Sequence, residues 1–206
     1  MTYRAVFGQT LLNLLIKRRR LKLTRTEAWQ LVTEHTESDS LRKHMLAVEA
    51  AMRFYANYFK EDEEKWAVTG LLHDFDYEKH PTPAEHPFVG VEILKSKGYP
   101  EEITRAILSH AEYSGVKPES NMEKSLYAVD ELTGFITAVA LVRPSKSVME
   151  VTVKSVEKKM KAKAFAANVN REDIQKGAAM LNIALEEHID NVIKAMQKIA
   201  PDLGLS

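Results

Sequence analysis

The sequence predicts an all-α protein, roughly two-thirds helix. Three observations carry that expectation. Apolar residues recur at steps of three and four along most of the chain, the period of one helical face. Capping residues stand ahead of these stretches, and proline or glycine stands behind them. One alternating stretch, Val148, Glu150 and Thr152, could pass for a strand, but nothing nearby offers a partner.

The elements follow in order. Residues 1–25 carry seven basic side chains and no acidic one, and read as a basic arm or a short first helix. That segment is either a solvated basic end or an arm for oligomer contact or anion binding. Its apolar residues, Leu11 to Ile16, precede Lys17 to Arg20, the reverse of a secretory signal. Thr24 and Glu27 have capping-box spacing for a helix to about Glu34. Ser38, Asp39 and Ser40 offer caps for a helix whose face is Leu41, Met45, Val48, Met52, Tyr55 and Phe59. Asp62 opens the next, with Glu63 and Glu64 in its first turn, running through Trp66, Val68, Leu71 and Leu72 to about Asp74. Pro81, Pro83 and Pro87 make 75–87 a loop, with Pro87 in the first turn of a helix ending near Gly98.

Further helices are expected from Pro100 to about Glu112 and from Asn121 to Val142, the latter stopped by Pro144. Residues 143–163 hold seven basic and two acidic side chains around one short helix, and Lys154, Lys158, Lys159, Lys161 and Lys163 read as a solvated face rather than a phosphate channel. Arg171–Leu181 and Ala184–Ile199 close the chain, before Pro201 and Gly204. Residues 26–206 read as a single helical domain, with a core at 40–142 and a helical extension at 143–206.

Composition narrows the chemistry. The 206 residues include 29 basic and 29 acidic side chains and no cysteine. Without cysteine, disulfides, iron–sulfur clusters and thiol nucleophiles are excluded, so any metal must be held by His, Asp or Glu. Zero formal net charge argues against a nucleic-acid coat. No stretch approaches the roughly 20 apolar residues of a membrane helix, and a cytoplasmic location is expected.

The informative residues break the apolar stripes. His44 lies three after Leu41 and four before Val48. His73 is seven after Trp66, and Asp74 follows it. His110 extends the stripe of Ile103 and Ile107, and Asp130 lies four after Leu126. A single inward histidine is ordinarily a hydrogen-bonded core residue. An inward carboxylate costs several kcal/mol unless a cation or strong donors meet it. Four helices each sending such a group inward fit a shared divalent metal, of the kind built in bundle cores. His35 and His188 sit among charged residues and read as surface groups.

The ordered set His44, His73-Asp74 and Asp130 resembles the H…HD…D signature of the HD-domain metal-dependent phosphohydrolase superfamily, over about residues 40–142. His86-Pro87 with Gly90 and Leu94, and Ile107-Leu108-Ser109-His110, are similar to segments of its binuclear branches. The chain departs from the cyclic-dinucleotide phosphodiesterases of the HD-GYP type. It has His110-Ala111 where they have paired histidines, and Tyr77 where they have a lysine after the HD pair. The resemblance implies an HD-type helical bundle. It further implies one metal on His44, His73, Asp74 and Asp130, and a second on His86 and His110 with Asp74 as bridge. His80 competes with His86 for that place, and Pro87 and Gly90 favour His86.

The function implied by this resemblance is that of a metal-dependent phosphohydrolase acting on a small phosphorylated metabolite or nucleotide. Two divalent transition ions, iron or manganese first and cobalt, nickel or zinc next, would activate a water for attack on phosphorus, with Asp74 central. Lys79, Arg143 and Lys146 are the expected phosphate contacts, each also readable as a solvated surface charge. A di-iron oxygenase of HD type and a catalytically idle regulatory module remain as alternatives. The oligomeric state stays open.

Overall fold

A computed structural model describes residues 24–206. Most of the basic segment 1–25 lies outside the described residues. Among these there are ten α-helices, two 3₁₀ turns and no strand. The Val148, Glu150 and Thr152 stretch holds one of those turns, and the Val148 N–H donates to the Leu205 carbonyl at 2.8 Å.

Helix α1 (Arg25–His35) opens on the Thr24–Glu27 capping box. Helix α2 (Asp39–Phe59) is capped by Ser38, and helix α3 (Glu63–Leu72) by Asp62. Each cap side chain accepts from a backbone N–H of the first turn, satisfying a donor with no partner inside the helix. Helix α3 is buried on every side from Trp66 to Leu72. It crosses α2 at Gly70, where a Cβ would come 2.8 Å from the Met52 side chain and 3.2 Å from the Glu49 backbone. Only glycine allows that approach without a shift of α2.

Helix α3 stops at Leu72, two residues short of the expected end, so His73 and Asp74 sit in the turn that leaves it. Helices α4 (Phe88–Ser96) and α5 (Glu101–His110) follow. The long α6 (Asn121–Leu141) begins with a second capping box, Ser120 with Glu123. The C-terminal third supplies α7 (Val153–Met160), α8 (Arg171–Met180), α9 (Leu185–Gln197) and α10 (Ala200–Leu203).

Two apolar clusters lie on either side of α2 and α3. Met45, Val68, Leu71, Phe75, Leu94, Ile103 and Ile107 join α1 through α5. Met52, Tyr55, Leu126, Phe135, Val192 and Met196 join α2 and α6 to the C-terminal helices. His188 is buried against Tyr55 of this second cluster, which corrects its reading as a surface residue. It is fully buried, while Glu186 and Glu187 beside it in sequence are exposed. One ring nitrogen bonds the Tyr55 hydroxyl, and Nε2 lies 2.9 Å from the Ala128 carbonyl. Burial pushes its pKa down to about 4, so the ring is neutral. The charges around His188 lie on the opposite face of an amphipathic helix. His35 is half-buried, with its ring edge-on to Phe75 at 5.1 Å.

No helix among the described residues is long and apolar enough to cross a membrane.

Candidate metal centre

Six side chains from five places in the chain converge where the end of α3 meets the first turns of α2 and the middle of α6. His44 comes from the first turns of α2, and Asp130 from the middle of α6. His73 and Asp74 come from the turn after α3, His86 from the loop before α4, and His110 from the last position of α5. They form two groups able to hold a metal ion, His44–His73–Asp130 and Asp74–His86–His110, with the ligand atoms of each within 4.8 Å of one another. The Asp74 carboxylate lies between the groups. Its Oδ2 is 3.9 Å from His44 Nε2 and 3.5 Å from His73 Nε2. Its Oδ1 is 3.2 Å from His86 Nε2 and 3.5 Å from His110 Nε2. His80 stays outside, half-buried, with Nδ1 3.5 Å from Glu85.

The rings are aimed by what holds their far nitrogens. His73 Nδ1 lies 2.8 Å from the Gly70 carbonyl, and His110 Nδ1 bonds the Ile107 carbonyl. A carbonyl can only accept, so Nδ1 carries a proton and Nε2 is the atom whose lone pair a metal would take. His73 Nε2 is buried and makes no hydrogen bond. A buried nitrogen without a partner costs about 1–3 kcal/mol. A divalent cation beside Asp74 and Asp130 removes that cost and neutralises both carboxylates, so the donor set fits a metal.

Electrostatics point the same way. Burial pushes the Asp74 carboxyl up, but the His73 charge and hydrogen bonds from His110 and His86 outweigh it and hold the group well below the usual carboxylate range. Asp130 is likewise held down against burial by His73 and His44. Burial lowers the His86 pKa, yet hydrogen bonds to Asp74 and Asp76 raise it to about 9. Without a cation, this much buried negative charge must draw protons onto the imidazoles. Bound cations would replace those protons.

Over the centre opens a cavity of about 550 Å³. Tyr77 and Tyr113, both exposed, line it together with Glu112, Glu131, Asn170 and Asp173. Burial and the adjacent Asp130 charge raise the Glu131 pKa to about 7.

No lysine or arginine among the described residues lines this cavity, which corrects the expected phosphate contacts. Lys79 turns to the end of α1 and donates to the Glu34 carbonyl at 3.0 Å, where the helix dipole favours a cation. Arg143 and Lys146 lie past the end of α6. At about 1.5 Å of rise per residue, that end is roughly 16 Å from Asp130 along the axis. Arg143 instead lies 3.8 Å from Glu150, and Lys146 is exposed.

A family model described as HD domain matches residues 41–134, which span all six converging side chains. That stretch is an HD domain. No curated protein and no solved structure gives a match. HD domains bind divalent metals and point to metal-dependent hydrolysis, and the two His and Asp groups are the residues of this HD domain that could hold such ions.

Four features of the site escape a reading of the sequence. Asp76, Glu131 and the tyrosine pair carry no apolar-stripe signal. The closeness of Asp76 to the HD pair is the available hint. The wall made by Asn170 and Asp173 comes from the C-terminal third, outside the family match, and no local pattern links it to the centre.

Proposed function

We propose that this HD domain hydrolyses a phosphoric ester or anhydride of a small molecule, using two divalent transition ions. The observation that carries the proposal is the Asp74 carboxylate, with one oxygen toward each histidine group. A carboxylate so placed is suited to bridge two cations. His44, His73 and Asp130 would hold one, and His86 and His110 the other. Imidazole and carboxylate donors suit iron or manganese, with cobalt, nickel and zinc as further candidates. Bound there, the two ions would supply the Lewis acidity that makes water a nucleophile near neutral pH and stabilises charge on phosphorus.

The chain's own residues then select the substrate. With no lysine or arginine in the described lining, the phosphate charge is left to the ions, and Tyr77 and Tyr113 are the hydroxyl donors placed to orient its outer oxygens. Asp173 and Glu131 give the lining acidic groups, while Glu112 is paired with Lys176, and this disfavours a polyphosphate relative to a singly phosphorylated substrate. The cavity volume suits a small metabolite or mononucleotide rather than a nucleic acid.

Elemental analysis of the purified protein together with a phosphoester screen tests the proposal. About two ions per chain and chelator-sensitive release of phosphate are expected. Metal-loaded protein that turns over no phosphoester, or that consumes oxygen instead, would contradict it. If Tyr113 orients the phosphate, Tyr113→Phe should lower kcat/KM about tenfold on any accepted substrate, as a lost hydrogen bond to a charged group does. Unchanged steady-state kinetics would remove Tyr113 from the site.

A further inference from the structure

His86 is held differently from the other histidines around Asp74. His73 and His110 each bond a carbonyl three residues back in their own helix, so helix geometry alone aims them. His86 stands in the loop before α4 and has no such carbonyl. Its Nδ1 lies 2.9 Å from Oδ1 of Asp76, a carboxylate only 1% exposed. The other oxygen of Asp76 accepts from the Gly90 N–H at 2.7 Å, in the first turn of α4. Both carboxylate oxygens are therefore used, one to hold the ring and one to hold the carboxylate itself. Gly90 makes room for this. A Cβ there would lie 2.7 Å from the Asp76 carboxylate carbon and 2.8 and 2.9 Å from its oxygens.

We propose that Asp76 is the positioning residue of the second metal, fixing the ring orientation and tautomer of His86 and raising its basicity as a ligand. The proposal rests on the two-ion reading of the site. Asp76 accepts a hydrogen bond from the Nδ1–H, which leaves the Nε2 lone pair, on the side facing Asp74, for the ion. A carboxylate is a stronger acceptor than the carbonyls behind His73 and His110. It therefore pushes more electron density onto the ring that no helix holds, and its effect is confined to that ion. Gly90 serves the same arrangement from the other side.

The test is metal binding rather than turnover. Full-length protein is dialysed against graded Mn²⁺ and the bound metal is counted for the unmutated chain, Asp76→Asn, Gly90→Ala and His86→Ala. Asparagine keeps the shape but has one oxygen for two donors, and its NH₂ must face the other. Alanine at 90 leaves the Asp76 charge in place and displaces the carboxylate, so it reports independently should Asp76→Asn fold poorly. The expected result is one ion held with unchanged affinity and the second weakened about 10–100-fold in both variants. The His86→Ala protein should hold one ion at all concentrations used. Unchanged affinity for the second ion, or equal weakening of both, would overturn the role of Asp76. Fewer than two ions on the unmutated chain would overturn the two-ion reading instead, and would be seen before any variant is compared.

Discussion

Asp74 concentrates the consequences of the site into one side chain. Its two oxygens face different histidine groups, so its loss should be felt by both. Asp74→Ala is expected to empty both sites, and metal analysis showing two retained ions would refute a bridging role. His188 makes a different kind of statement, about stability and pH. Its folded pKa of about 4 lies below the ordinary histidine value of 6.5 because burial disfavours the charged ring. The unfolded chain therefore binds the proton more readily. Stability from this group is complete above pH 6.5 and is lost as pH falls toward 4, by up to about 3 kcal/mol. Urea unfolding between pH 7 and pH 4.5 should show a shallower decline in a His188→Gln variant than in the unmutated chain. Equal slopes would mean that other groups carry the acid sensitivity.

At the scale of elements, close crossings set where the site residues stand. Helix α8 meets α6 at Gly177, where a Cβ would come 2.5 Å from the Ala128 Cα and 2.8 Å from its Cβ. The contact is with backbone, which cannot swing aside. Gly177→Ala should cost about 1–3 kcal/mol, read as a lower urea midpoint with the slope preserved. Gly177 carries no signal in the sequence, and the reason is general. Caps and periodicity are local, so Thr24 with Glu27, Ser38 and Asp62 announce their helices before any packing is known. The inward placing of His44, His73, His110 and Asp130 is legible for the same reason, as interruptions of a local stripe. Which helix crosses which, and at what distance, depends on partners far along the chain. Asp76 and Gly90 illustrate this. Neither signals anything alone, and their link is a hydrogen bond between a turn and the next helix. Lys79 and Arg143 stand outside the cavity lining, because nearness in sequence to the HD pair or to α6 says nothing of direction.

For the whole molecule, the centre acts as a fastener. His44 and Asp130 are 86 positions apart, and their side chains stand 3.0 Å from each other. Ions held by residues from α2, α3, α5, α6 and the loop before α4 would stabilise only the folded chain, by mass action. Chelation should therefore lower the melting temperature by about 5–10 °C, and restoring metal should recover it. A melting curve indifferent to chelator would mean that the apolar clusters alone set the stability.

The lining contributed by the C-terminal third has a consequence for how such a protein can change its preferences. Asn170 and Asp173 belong to the part of the chain that the HD-domain match does not reach, yet they close the cavity beside Glu131. On the proposed reading, part of what would select the substrate thus lies outside the stretch that holds Asp74. A lineage, or an engineer, could exchange Asn170 and Asp173 at the start of α8 while every group around Asp74 stays in place. New substrates would then be reached without reinventing the chemistry.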